Sequence, residues 1–303
     1  MNPQVVMDGL IAGAMIGLGA VGVTLTYSIL RFANFAHGEL VAWGAYFAFA
    51  VSGALGFLSG ALTQPIGPFS FGWSLPVAAI AAMALTAALA VVVDAILFGR
   101  LRATGGAPIV MVMASFGAAL ALRNLLEFIF TSRPEYYAKG LQIALPLGPG
   151  LRATPDQLLS LALALLLAIS LHLLLTRTAI GRAMRAVSEN PALAGVVGVD
   201  VRKVVRIAWA LGASLACAAG VIAGLLVQIR PTMGLDLLLP LFAAAILGGI
   251  GSVPGALTAG LILGLSESIA VHLVGAQWRA AVAFVILVVI LLVRPQGLLG
   301  RSQ

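Results

Sequence analysis

A ten-residue segment near the N-terminus concentrates the side chains that could bind a polar ligand. The segment RFANFAHGEL, residues 31–40, places Arg31, Asn34, His37 and Glu39 within nine positions. It stands between two long apolar runs, in a chain that is 61% hydrophobic and only 9% charged. Guanidinium, amide, imidazole and carboxylate groups next to apolar helices either form a solvated turn or line a polar path through the protein.

Two further sets of polar side chains interrupt apolar runs. Arg123 and Glu127 are four residues apart and can pair on one face of a helix, either as an isolated ion pair or as a ligand contact. Glu267 stands alone between Ser266 and Ser268. An acid inside an apolar run is a candidate functional residue, but serine hydroxyls could equally hold it in the protein interior. The sequence leaves both alternatives open.

The residue types and spacings of known catalytic and metal sites are missing from the sequence. His37, His172 and His272 are far apart and none lies in a metal-ligand motif, while the single cysteine, Cys217, has no neighbouring histidine. Neither lysine stands in a phosphate-binding loop. We therefore expect no enzyme activity, no catalytic residue and no metal site. If this chain moves a solute with ATP, another chain must bind the nucleotide.

The elements that must position these side chains are membrane-spanning helices. Repeated runs of about twenty apolar residues are typical of helices that cross a bilayer. We predict an all-α polytopic bundle of eight to nine spans, some of them broken or re-entrant, which forms a single domain over residues 1–303. The predicted helices are 6–29, 36–57, 74–98, 107–130, 156–176, 203–228, 235–249, 255–274 and 277–293.

Basic residues indicate how the bundle is oriented. Arginines and lysines cluster in the connection at about 177–206, which marks that connection as cytoplasmic. Counting spans from there places residues 131–155 outside and Arg294 and Arg301 inside. The formal charge of +7 therefore reflects membrane topology, and because the basic residues are spread over many loops we expect no nucleic-acid surface.

Two segments are predicted to break helices. GGIGSVPGA, residues 248–256, contains Gly249, Gly251, Pro254 and Gly255 and is predicted to form a hinge or tight turn near the cytoplasmic face. The segment 31–40 is either a plain cytoplasmic turn or a helix interrupted at membrane depth. The direct change from apolar to polar residues on both sides, without a proline, favours the interrupted helix.

A third segment, residues 182–200, is predicted to form a short cytoplasmic helix. Ser188 could cap a helix that begins near Glu189 to Pro191, because proline is tolerated in a first helical turn. Small residues, including Ala194 and Gly198, would give this helix a face that another protein can approach closely. The alternative is a solvated loop whose arginines only obey the inside-positive rule.

Four of these stretches occur in the order of one transporter family. NFAHGEL (34–40), RAVSENPALAGVVGVD (185–200), GGIGSVPGALTAGLILG (248–264) and RPQGLLG (294–300) together resemble the LivH-type permease of branched-chain amino acid ABC importers. The resemblance extends over nearly the whole chain. Permeases for urea and short amides share much of this pattern, so the resemblance leaves branched-chain amino acids, urea, short amides and aromatic acids as possible substrates.

The resemblance implies a set of partners in the bacterial inner membrane. They are a second, LivM-like permease, two cytoplasmic ATPase subunits that bind ATP and Mg²⁺, and a periplasmic substrate-binding protein. It also implies that the chain itself holds no cofactor. An ATPase-independent secondary transporter is the alternative, but it should carry several buried acids or histidines in mid-span, and only Glu267 clearly qualifies.

The resemblance also suggests roles for the candidate residues. The substrate path would include Asn34, His37, Glu39 and Glu267. The 182–200 segment would act as the coupling helix of an ABC importer. Its contact with an ATPase would involve Arg182, Arg185, Glu189, Asn190, Ala194 and Gly198.

Overall fold

The computed structural model describes residues 3–138, 140, 142–148, 150–293 and 297–299, and these residues form a helical bundle. The α-helices are α1 (Pro3–Leu30), α2 (Ala36–Leu58), α3 (Ser74–Ala103), α4 (Pro108–Phe130), α5 (Pro155–Arg177), α6 (Ala179–Glu189), α7 (Pro191–Val196), α8 (Val201–Leu226), α9 (Met233–Gly248), α10 (Val253–Val274) and α11 (Arg279–Val293). Seven of them, α1 to α5, α8 and α10, are long and apolar enough to cross a membrane. The predicted polytopic all-α fold is confirmed.

The most extensive packing joins α1 and α10, which run antiparallel. A Cβ atom added at Gly9 would lie 2.8 Å from the Leu265 Cα atom, and one at Gly13 would lie 2.7 Å from the Leu261 Cα atom. Small residues are needed here because helices in lipid gain little from hydrophobic burial and depend on close backbone approach. The glycine repeat of α1 therefore defines the tightest seam of the bundle.

Helix α8 is the second core element and packs on α1, α2 and α3. The Trp209 indole is almost completely buried and stacks on the Phe98 ring with a centroid separation of 5.3 Å. Phe98 lies in a π-helical stretch of α3, Asp94–Phe98, and also contacts Phe32 at 5.1 Å. These rings join the end of α3 to the connection between α1 and α2.

The two ends of the bundle differ in charge. One end carries the connections 31–35 and 249–252 and the segment 178–200, and the amide of Gly251 there donates to the Thr24 hydroxyl near the end of α1. We call it the basic end. By the inside-positive rule it is cytoplasmic. The opposite end, called the distal end, carries residues 59–73 and the loop after α4, where Glu135 pairs with Ile229 beyond α8.

Helix α9 is too short to cross a bilayer perpendicularly. Its 16 residues span about 24 Å at 1.5 Å per residue, against a hydrocarbon core of about 30 Å. The helix begins with Gly234 against the Gly38 backbone of α2 and ends with Gly248 against Gly255 of α10. The sequence predicted this helix as residues 235–249, close to the observed bounds, but it did not predict the contact of its first turn with Gly38.

Within the described residues, the distal end contains the one β-sheet, a two-stranded antiparallel hairpin. Strands β1 (Leu145–Gly148) and β2 (Leu151–Ala153) lead into α5, and the sequence analysis missed them. The buried Asp156 carboxylate follows directly and accepts hydrogen bonds from the Ser70 amide at 3.2 Å and the Gln142 side chain at 2.9 Å. This carboxylate therefore ties three distal segments together.

Candidate functional site

The connection between α1 and α2 is recessed into the bundle. The Phe35 amide donates to the Ser115 hydroxyl at 3.1 Å, and that hydroxyl donates in turn to the Ala33 carbonyl oxygen at 3.3 Å. Ser115 is seven residues after the start of α4 at Pro108, or about 10 Å along that helix. Helix α2 therefore begins about 10 Å above the start of α4.

The polar side chains of this connection are buried. Asn34, His37 and Glu39 are 4%, 1% and 3% exposed, whereas a plain cytoplasmic turn would leave them solvated. Among the described residues, Asn34 Nδ2 and Glu39 Oε2 have no hydrogen-bond partner, and the His37 ring interacts with the Gly19 backbone of α1. Buried polar atoms without partners are rare in proteins, which makes this cluster the strongest candidate for a ligand-facing site.

Each of these three residues lies against a different neighbour. The Asn34 Oδ1 atom accepts from the amide of Ala36, the first residue of α2, at 3.2 Å. The His37 ring lies against the backbone of Gly22 on α1, where a Cβ atom would be 3.0 Å from the ring. The Glu39 Cα atom would lie 3.2 Å from a Cβ on Gly234 of α9. The cluster therefore lies where α1, α2 and α9 meet, beside the N-terminal ends of two helices, which carry partial positive charge.

Glu267 is not part of this cluster. Its carboxylate lies 3.4 Å from the Arg279 guanidinium, and the neighbouring Ser268 hydroxyl donates to the Val5 carbonyl oxygen. Because α10 runs antiparallel to α1, these contacts place Glu267 at the distal end. From Gly9, near Glu267, to Gly22, beside His37, the distance along α1 is about 20 Å.

The segment 182–200 forms two helices instead of the single short helix that was predicted. Ser188 does not cap the second one, because its hydroxyl donates to the Arg185 carbonyl oxygen within α6. Asn190 has an extended backbone and its Oδ1 atom accepts from the Leu193 amide, so Asn190 caps α7. Pro191 is the first residue of α7, as expected, but Glu189 is the last residue of α6.

The exposed face of α7 is apolar and consists of larger residues than we predicted. Leu193, Val196 and Val197 are exposed, with Val196 at 84%, whereas Ala194 is 2% exposed and packs inside this chain. Ala194 therefore cannot provide the accessible small surface expected of it. Gly198 follows with a φ of +88°, a conformation that favours glycine for reasons of backbone geometry.

The two arginines of α6 have different surroundings. Arg182 is exposed, whereas the Arg185 guanidinium donates to the Leu175 carbonyl oxygen near the end of α5. Arg185 thus anchors α6 to α5 and is not a free surface charge. Gly181, Met184 and Val187 are buried at spacings of three residues, so α6 lies along the bundle with one apolar face.

Arg31 connects the candidate site to this cytoplasmic segment, a link that the sequence gave no signal for. Its guanidinium donates to the carbonyl oxygens of Ser188 and Glu189 in the last turn of α6. Arg31 also has a φ of +56°, which is rare for a residue other than glycine. The same residue therefore ends α1 and contacts the residues immediately before α7.

The predicted helix break at 248–256 is confirmed. Gly249 and Gly251 have φ values of +91° and +87°, and the Ser252 hydroxyl accepts from the Gly255 amide to cap α10. Pro254 lies in the first turn of α10. The Leu298 amide donates to the Leu247 carbonyl oxygen at 2.7 Å, which brings a C-terminal segment to the same turn. The Arg294 and Arg301 positions lie outside the described residues.

The described residues contain no group of three or more histidine, cysteine or acidic side chains that could hold a metal ion. Cys217 is buried on α8, where a Cβ atom on Gly44 would lie 2.6 Å from its Cβ atom. Its position agrees with a packing role.

Comparison with known proteins gives consistent matches over the whole chain. The family model described as "Branched-chain amino acid transport system / permease component" matches residues 5–291. The high-affinity branched-chain amino acid permease protein BraD of Pseudomonas aeruginosa is 30% identical over 99% of this chain and 96% of its own length. The corresponding protein LivH of Escherichia coli K12 is 28% identical over 99% and 96%. A probable LivH of Methanocaldococcus jannaschii is 28% identical over 99% and 93%.

A solved structure shares the fold. PsaBC from Streptococcus pneumoniae in complex with Fab aligns with a TM-score of 0.50 and 13% sequence identity, covering 95% of this chain and 91% of that one. At this identity the likeness concerns the fold alone.

Proposed function

We infer the function of this chain from the family to which it belongs, the permease components of branched-chain amino acid transport systems. The chain is the membrane-spanning subunit of an ABC importer in the bacterial inner membrane. It takes up branched-chain or related amino acids, and separate subunits hydrolyse the ATP. The observation that carries this proposal is the family match over residues 5–291, together with seven helices suited to crossing a membrane.

The substrate path includes the cluster of Asn34, His37 and Glu39. The cluster is buried, lies beside a helix break and has unpartnered donors and acceptors. Irregular backbone at membrane depth is tolerated where it lines a cavity, which supports this placement. A path with few fixed charges suits a zwitterion with an apolar side chain. It would also suit urea, a short amide or an aromatic acid, which are the alternative substrates.

The cytoplasmic partners dock at α7. Two ATPase subunits bind ATP and Mg²⁺, and one of them receives the exposed apolar face of Leu193, Val196 and Val197. Exposed apolar residues on a short cytoplasmic helix are unfavourable in water, which supports a role in which another protein covers them. Arg182, Glu189 and Asn190 lie at the edge of the same surface, and Gly198 permits the chain to turn back into α8. A periplasmic binding protein delivers the substrate to the distal end.

Purification and reconstitution test this function. Affinity-tagged chain should bring down two ATPase subunits and a second permease, and proteoliposomes with the complete complex should take up a branched-chain amino acid only with ATP and the binding protein. A double Leu193→Ser and Val196→Ser variant should lose the ATPase subunits while still inserting into the membrane. Gradient-driven uptake by the chain alone would overturn the assignment. A calorimetric screen of the binding protein identifies the substrate.

A further inference from the structure

Helix α4 has one packed face and one open face. Met111, Ser115, Leu122 and Leu126 are buried on the packed side, which rests mainly on α2. The opposite side carries exposed residues along the length of the helix, among them Leu120, Asn124 and Phe128. Since successive residues turn by 100°, Asn124 lies about 200° around the helix from Leu122. None of the described parts of this chain covers that side.

Charged and amide groups lie on this open side within the membrane-spanning part of the helix. Arg123 and Glu127 are 26% and 35% exposed and approach each other at 3.6 Å. Arg123 is seven residues before Phe130, the end of α4, and so lies about 10 Å inside the distal end. Ionisable side chains at such depth face other protein groups or water, because lipid cannot solvate them. The Arg123–Glu127 pair is long, at 3.6 Å, so the two charges still need other polar groups nearby.

Small residues on the same helix point to a close neighbour. Gly117 and Ala121 are exposed and four residues apart, the spacing that lets two membrane helices approach closely. A Cβ atom on Gly117 would meet no other atom within 4 Å, whereas a Cβ on Gly9 or Gly13 of α1 would touch α10 at 2.8 or 2.7 Å. Gly117 is therefore small enough for a close helix contact, but no described residue of this chain makes that contact.

We propose that this open surface of α4, made of Gly117, Leu120, Arg123, Asn124 and Glu127, is the contact for the second, LivM-like permease chain. The inference rests on the proposed function and names the surface that the partner uses. The partner should present polar side chains at the same depth, able to pair with Arg123 and Glu127 and with the Asn124 amide.

The position of the surface selects this partner among the proposed ones. ATPase subunits reach only the basic end and a periplasmic receptor only the distal end, whereas Arg123 lies inside the bilayer. Glu39 interacts electrostatically with Arg123 and Glu127 from the packed side of α4. The contact surface and the candidate substrate cluster are thus adjacent, and the second chain would complete the wall of the path.

Photo-crosslinking in the assembled importer tests the proposal. A benzophenone amino acid replaces Leu120 on α4, which is 45% exposed, and the matched control replaces Leu166 on α5, which is 60% exposed. In membranes that contain all subunits, we expect the label at 120 to capture the second permease and the label at 166 to capture none. Capture only of another copy of this chain, or equal capture at both positions, would overturn the proposal.

A substitution gives a second measurement. Gly117→Leu should reduce copurification of the second permease at least tenfold, with the chain still monodisperse in detergent because the position is open within this chain. Gly53→Leu, at another open glycine, should leave copurification unchanged. If the wild-type chain recovers no permease or ATPase at all, the proposed function fails. If the wild-type complex forms and Gly117→Leu retains it fully, only the α4 assignment fails.

Discussion

The Arg31 guanidinium lies 2.9 Å from the Glu189 carbonyl oxygen and 2.7 Å from that of Ser188, so a residue of the α1–α2 connection holds the C-terminal end of α6. A cation at the C-terminus of a helix complements its dipole and satisfies carbonyl groups that lack helical partners. Three residues further along the chain from Arg31 is Asn34, and two residues after Glu189 is Pro191, the first residue of α7. Movement of α7 would therefore displace Arg31 and, through it, the connection that carries the buried cluster.

Replacing Arg31 should uncouple ATP hydrolysis from uptake. Arg31→Gly keeps the positive φ but removes both hydrogen bonds of the Nη2 atom. We expect uptake to fall about tenfold or more while ATP hydrolysis persists, measured as substrate transported per ATP in proteoliposomes. Arg31→Lys, which retains the charge on a compact ammonium group, should be intermediate. An unchanged ratio in Arg31→Gly would remove this residue from the coupling path.

Asn34 is predicted to act on uptake through its side chain. Asn34→Ala removes one hydrogen bond to the Ala36 amide, a loss of about 1 kcal/mol, so the complex should still assemble. Uptake should nevertheless fall severalfold, because the unpartnered Nδ2 atom is lost. The control is Ser115→Ala, which disturbs the same connection at Phe35 without touching the polar cluster. Equal losses in both variants would mean that only backbone geometry matters.

His37 provides an independent measurement at the same cluster. His37→Ala should reduce uptake with assembly intact, since the ring has no polar contact in the described residues other than the one with the Gly19 backbone of α1. His37→Asn, which keeps polar atoms in the pocket beside Gly22, should retain more transport than His37→Ala. Radiolabelled uptake and size-exclusion chromatography of the complex distinguish a transport defect from an assembly defect. Normal uptake in both variants would exclude the ring from the path.

Glu267 should prove to be a stabilising residue more than a transport residue. Its carboxylate is nearly fully buried beside the Arg279 guanidinium, so Glu267→Gln leaves that cation without its partner. We expect a lower midpoint of thermal unfolding in detergent, and a smaller further decrease when Arg279→Gln is added to Glu267→Gln, as for residues in one interaction. If uptake is lost while the unfolding midpoint stays at the wild-type value, Glu267 belongs to the path.

The α1–α10 seam should tolerate no added side chain. Gly13→Val places branched carbons where the Leu261 backbone already lies, so the helices must separate. We expect most of the protein to aggregate, as seen by fluorescence-detected size-exclusion chromatography. Gly53→Val on α2, where the space is open, should elute as the wild-type chain does. A monodisperse Gly13→Val protein would show that the seam is not required.

Long apolar runs and glycine positions carried most of the prediction of the fold. The helix break at 249–252 followed from Gly249, Gly251 and Pro254, because positive φ angles and a missing amide donor are properties of single residues. The start of α9 beside Gly38 could not be predicted in the same way. It depends on a contact between Gly38 and Gly234, almost two hundred positions apart, and such a contact cannot be predicted from local composition.

The candidate site was predicted in residue type but not in arrangement. Asn34, His37 and Glu39 were singled out as adjacent polar residues, and the structure buries all three. His37 and Glu39 are two positions apart on α2 and so point to different sides of that helix. Glu267 was assigned to the same path, but its distance from His37 depends on the direction in which α10 crosses α1. The cap of α7 was misassigned to Ser188, since serine and asparagine are both good N-caps and only the backbone angles decide between them.

The seam between α1 and α10 also sets an order of events during synthesis. Gly9, Gly13 and Gly17 enter the membrane with the first helix, but Leu265, Leu261 and Leu257 are made some 240 residues later. Until then α1 must remain in lipid with its glycine surface unpacked, supported only by the helices made before α10. The centre of the bundle is therefore completed last, and a chain that stops before residue 253 lacks the partner of its own first helix.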